Sequence, residues 1–199
     1  KDLITDGGTP QQDDFDLDWD AAISFVSRCQ NLTATNDQPW ASDDPDNKGG
    51  FIYFPGDSKS GEQQLAGDQV ALRSYGSMSY AGLLSLIYAK LDPSDQRIVA
   101  VLDWLKKNYT LEENPGLNGQ GLFYYYHSMA KALRILNIDQ LTLADGTRVD
   151  WRKDLSTKLM DLQQPDGSWV NPTGRWWEND PVLVTSYAVL TLEHIHRSL

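Results

Sequence analysis

The chain has 199 residues, enough for one domain with a real core, and 40% apolar against 23% charged residues excludes a disordered chain. Its net charge of −11 argues against nucleic acid and against electrostatic docking on an anionic membrane, and no apolar run reaches membrane-spanning length. The one cysteine, Cys29, excludes an internal disulfide and a Cys-based zinc site within the chain.

Lys1 to Leu17 is polar, acidic and turn-rich (Gly7, Gly8, Pro10) and reads as an arm ahead of a repeat domain spanning 18–199. A start at Lys1, without Met or a signal-like segment, points to a chain processed, excised or cut at its N-terminus; an exported precursor that lost its leader fits.

From Asp18 onward one pattern occurs three times: an amphipathic helix, a glycine-containing loop rich in aromatics, and a more apolar helix. In the first copy Asp18 caps a helix with Ala21, Ala22, Phe25, Val26 and Cys29 on one face. The loop holds Gly49, Gly50, Phe51, Tyr53 and Phe54, and a second helix runs from about Ser74 to Leu91. Its small residues Gly76, Ser77, Ala81 and Gly82 predict close approach by another helix.

In the second copy Ile98, Val101, Leu102 and Leu105 form the stripe, NPGLNGQGLF the loop, and about Tyr125 to Leu136 the second helix. In the third, Asp150 caps a helix carrying Trp151, Leu155, Leu159 and Leu162. A long loop through Gly167 leads to a last helix from about Pro181 to His196, apolar almost all round, with proline suited to its first turn. The alternation predicts two layers, striped helices outside and apolar ones inside. Helical pairs of this kind stack on neighbours, and either a closed ring or an open solenoid satisfies them.

The third loop carries the most specific motif, Gln163 followed by Gly167 and Trp169 in QQPDGSW. It resembles the QW repeat of squalene-hopene and oxidosqualene cyclases, with Lys158 where their consensus has an aromatic residue. In the physical reading, the glutamine bonds backbone at the next helix start and the tryptophan stacks over it. The stretches SYGSMSYAGLLSLIYA, NPGLNGQGLFYYYHSMAKAL and PDGSWVNPTGRWWENDPVLVTSYAVLTL extend this. Through them the chain is similar to the squalene cyclase, prenyltransferase and squalene-oxidase repeat family, whose bacterial members have largely undefined activities. The resemblance implies an all-α protein of the α/α-toroid fold. About three hairpins are present where complete rings have more, so a partial ring is expected, completed by self-association or by another chain.

The chemistry of that fold is only partly represented. Class II cyclisation uses a DxDD acid, which is missing; Asp16-Leu17-Asp18-Trp19 is the nearest, and Asp18 is explained as a cap. In prenyltransferases the zinc histidine lies in a segment matched by Tyr126-His127-Ser128, but SYGSMSY lacks the Asp and Cys partners, so His127 reads as a structural or cavity histidine. Ser60-Gly61-Glu62-Gln63 mimics a complement-type thioester segment without its sulfur. Asp44 and Asp46 with Gly49 follow a calcium loop in part, but Lys48 stands at a ligand position.

No cofactor or metal is expected. The candidate ligand-binding residues are Tyr75, Tyr124, Tyr125, His127, Trp169, Trp176, Trp177, Glu178 and Asp180. Aromatic platforms beside Glu178 and Asp180 suit a carbohydrate, and a cap on the last helix is the alternative role for Asp180. The loops Asn114 to Phe123 and Asp166 to Asp180 are expected at one rim. The expected function is a toroid module that binds an apolar ligand or a protein partner without a complete catalytic motif. The alternatives are an isoprenoid cyclase relative or polysaccharide lyase or hydrolase completed by a missing half, and a structural subunit of a larger complex.

Overall fold

The computed structural model describes residues 18–198. The acidic arm before Asp18 lies outside the described residues. The described residues form six α-helices: α1 (Trp19–Ser27), α2 (Gly76–Tyr88), α3 (Gln96–Lys107), α4 (Leu122–Ile135), α5 (Trp151–Leu162) and α6 (Pro181–His196). Two antiparallel hairpins lie in the connections, β1 (Glu62–Gln64) with β2 (Val70–Leu72) and β3 (Leu141–Thr142) with β4 (Arg148–Val149).

The all-α expectation is therefore corrected to mostly helical. The β3–β4 hairpin turns at Asp145-Gly146, where Gly146 has φ 85° and Asp145 accepts from the Thr147 N–H at 2.9 Å. An Asp-Gly pair between short apolar runs is a hairpin signal in itself.

The three expected caps, Asp18, Asp150 and Asp180, are present, and Asp95 adds one that was not expected. Asp18 accepts from Ala21 N–H, Asp95 from Arg97, Asp150 from Lys153 and Asp180 from Val182. α2 and α4 differ: their N-cap positions are Tyr75 and Gly121, neither of which offers a capping side chain. Their free N–H groups are satisfied from elsewhere in the chain.

α4 lies between α2 and α6 and packs on both, α1 and α3 pack on α2, and α5 packs on α6. The apolar helices thus form one row, with α1 and α3 against α2 at one end and α5 against α6 at the other. Between them lie Leu83, Val101, Met129, Leu133, Trp151, Leu155 and Leu159, all buried. Each buried side chain of this size contributes about 1.5–3 kcal/mol of transfer free energy.

Three expectations fail in detail. On α1 the expected stripe holds only in part: Val26 packs against the core, but Ala21, Ala22 and Phe25 are exposed, Phe25 at 50%, and Ser27 is buried. Cys29 is buried but lies beyond the helix, and burial raises its thiol pKa to about 11. On α2 the small residues receive loop side chains. Phe51 packs on Gly82, where a Cβ would lie 2.4 Å from its ring, and Pro115 packs on Gly76. Finally, α6 is enclosed on one flank only, and Val182, at 75% exposure, is exposed together with Val189 and Leu190.

The glutamine motif is also redistributed. Gln163 is exposed and closes its own turn on the Gly167 carbonyl at 2.9 Å. Gln30, in the degenerate first copy, is buried and bridges the Gly49 and Arg97 carbonyls at 2.9 Å each. It thus ties the first loop to the start of α3, the role expected of Gln163.

Candidate functional site

Three buried asparagines organise the loops. The N–H of Asn31 donates to Gly50, that of Asn114 to Asn118 and that of Asn171 to Glu178, each through the main chain at 2.7–2.9 Å. The side chains then reach between repeats. Asn114 Oδ1 accepts from the Ser77 N–H at 3.0 Å, and the Pro115 carbonyl accepts from Gly76 at 2.8 Å, so Asn-Pro caps α2. Glu178 does the same for α4. Its Oε1 accepts from Tyr124 N–H at 2.9 Å and its Oε2 from Phe123 N–H at 3.3 Å. Asn171 Nδ2 donates to Oε2 at 2.6 Å and to the Gly119 carbonyl at 2.8 Å. A carboxylate at a helix N-terminus meets both the orphan donors and the positive end of the dipole.

These links bring the two expected rim loops together and open a cleft of about 250 Å³ beside the first turns of α2 and α4. Tyr75 and Met78 line it from the start of α2, Gly121 and Tyr124 from the start of α4, Tyr187 from α6, and Tyr53, Lys59 and Trp176 from loops. Lys59 holds its ammonium 4.6 Å from the Tyr53 ring centre, and Arg175 its guanidinium 4.3 Å from that of Trp176. Desolvation holds the Tyr75 and Tyr187 phenols above the usual range. Both are neutral hydroxyls near pH 7.

Backbone strain marks the lip. Trp176 and Trp177 have φ of 57° and 65°, a conformation that bulky residues rarely adopt and that costs about 1–3 kcal/mol each. The strain lays Trp176 on Gly121, where a Cβ would come within 3.2 Å of the ring, and leaves Trp177 78% exposed. Strained residues of this kind concentrate at ligand sites.

The candidate residues thus separate into groups. Tyr75, Tyr124, Trp176 and Glu178 line the cleft. Tyr125 and Trp169 are core: the Tyr125 hydroxyl donates to the Thr110 carbonyl, and the Trp169 indole to Leu159. Their large apolar area is spent inside the fold. Asp180 is the α6 cap, and Glu178 is 1% exposed with both oxygens engaged. Glu178 is thus the carboxylate of the described lining, and both of its oxygens serve the start of α4. Tyr53, Lys59, Met78 and Tyr187 join the cleft without having been expected there.

His127 lies outside the lining. Its ring stacks on Tyr187 at 5.9 Å and sits 5.3 Å from His194 of α6. Burial, then Lys131, lowers its pKa. Burial, then His127, Arg134 and Lys131, lowers that of His194 to about 4 against an ordinary 6.5. Both depressions oppose protonation in the folded state. Their stabilisation is complete above about pH 6.5 and is lost as pH falls towards 4. His194→Gln is expected to flatten the fall in melting temperature between pH 6.5 and 4; an unchanged slope would contradict the pairing.

No protein-family model matches the chain, and no similar curated protein or solved structure is found. No described helix is long and apolar enough to cross a membrane.

Proposed function

We propose that the chain is a ligand-binding module of the α/α-toroid kind, and that a small apolar molecule, of the unsaturated isoprenoid type, lies in the aromatic cleft. The observation that carries this is the convergence of Tyr53, Tyr75, Tyr124, Trp176 and Tyr187 on one opening of about 250 Å³. Such rings supply large apolar area and electron-rich faces suited to unsaturated groups. The use of Glu178, the carboxylate in the lining, as a helix cap supports binding without conversion.

The toroid reading is supported by the row α2, α4, α6 and by the same asparagine bridge in three loops. The resemblance to squalene cyclase and prenyltransferase repeats supports it independently and favours an isoprenoid. In this reading three hairpins form part of a ring, and the exposed Val182, Val189 and Leu190 of α6 form the edge where a second copy or another chain continues it.

Farnesol, a neutral isoprenoid alcohol, tests the cleft by quenching of tryptophan fluorescence. Saturable quenching with a Kd at or below about 1 mM is expected, weakened about tenfold in Trp176→Ala. A linear response, or equal affinity in the variant, would refute the reading.

A further inference from the structure

Tyr187 joins the cleft to a second cluster of side chains. Its ring lies 5.8 Å from Tyr124 within the cleft and 5.9 Å from His127 one turn further along α4. His127 faces His194 across the α4–α6 contact at 5.3 Å. Lys131 and Arg134 continue the Tyr124–His127 face of α4 at helical spacing.

In a chain of net charge −11, this cluster is basic. Glu193 is the acid that acts on His194, and it is already paired with Arg197 at 2.6 Å. Lys131 places its ammonium 5.6 Å from the Tyr88 ring centre. The Nδ1 atoms of both histidines and the Nε of Arg134 are buried without a hydrogen-bond partner. An unpaired buried donor costs about 1–3 kcal/mol, and gathering groups of like charge adds repulsion. A negatively charged acceptor removes both costs at once. A metal cation could take the histidine nitrogens but not the Arg134 N–H, and Lys131 and Arg134 would repel it.

We infer that His127, Lys131, Arg134 and His194 bind one oxyanion, carboxylate or phosphate monoester, carried on the apolar molecule that occupies the cleft. This rests on the cleft reading above and adds the head group to it. Seven residues separate Tyr124 from Lys131, about 10 Å along the helix axis at 1.5 Å per residue. The occupant is thus an amphiphile whose anion sits about 10 Å from the tyrosine it stacks on.

The test compares dodecanoate, dodecyl phosphate and neutral dodecanol below their micelle concentrations, by calorimetry on the full chain. At least one anion is expected to bind ten times or more tighter than dodecanol. Which anion gains identifies the head group as carboxylate or phosphate. Lys131→Gln with Arg134→Gln should reduce both anions to the dodecanol affinity. Lys131→Gln alone, with a smaller loss, serves if the double variant fails to fold. Proton NMR supplies a second readout: the bound anion should move the His194 titration up from about 4. Equal binding of all three probes, or no binding of any, would overturn the oxyanion site, and the farnesol titration decides separately whether the cleft reading stands. Anion binding that the variants leave intact would also overturn the site.

Discussion

Gly49→Ala is expected to lower stability by about 3 kcal/mol or more, the sum of left-handed strain and a backbone clash. Gly49 has φ 90°, and a Cβ there would lie 2.1 Å from the Ala100 carbonyl oxygen in the middle of α3. Neither side can yield cheaply. The Gly49 carbonyl holds Gln30, whose amide also holds Arg97, and the Gly49 N–H donates to Asn31 at 2.6 Å. Displacing the loop therefore loosens its seat on α3 and the first asparagine bridge together. The melting temperature should fall by about 6–12 °C, at 2–4 °C per kcal/mol for a chain of this size. Gly56→Ala is the control: its φ is 92° but nothing lies within 4 Å, so strain alone, about 1 kcal/mol, is expected. Equal losses at the two positions would contradict the close approach of loop and helix.

Glu178→Ala is expected to cost about 3 kcal/mol, three times the loss of an exposed cap such as Asp18. The acid is buried and accepts from Phe123, Tyr124 and Asn171, so removal leaves two N–H groups unpaired at the start of α4 and takes one of the two bonds of the Asn171 amide. Glu178→Gln keeps the volume but turns an amide towards N–H groups, and should recover less than half of the loss. Hydrogen exchange at Phe123 and Tyr124 should accelerate in both variants. A loss below about 0.5 kcal/mol in Glu178→Ala would show that α4 starts without this cap.

Features set by neighbouring residues were legible in the sequence. The Asp18, Asp150 and Asp180 caps, the proline start of α6 and the α3 and α5 stripes each depend on a few adjacent positions. Features set by tertiary contact were not. Glu178 reads as a free acid beside tryptophans because its partners, Phe123 and Tyr124, are more than fifty positions away. Asn114 and Asn171 carry a local signal, proline following each, but a turn is all that the pair specifies. Tyr125 and Trp169 could not be separated from Tyr124 and Trp176 by type; only packing assigns one pair to the core and the other to the cleft. On α1 serine occurs on both flanks, Ser24 exposed and Ser27 buried, so a nine-residue helix does not choose its buried face by hydrophobicity alone.

Chemical-shift mapping with farnesol examines the cleft most directly, because it reports where the molecule sits without changing a residue. Shifts should concentrate at Tyr53, Tyr75, Tyr124, Trp176 and Tyr187, with the rest of the chain unmoved. Shifts confined to the exposed α6 face at Val182, Val189 and Leu190, or none at saturating ligand, would contradict the account.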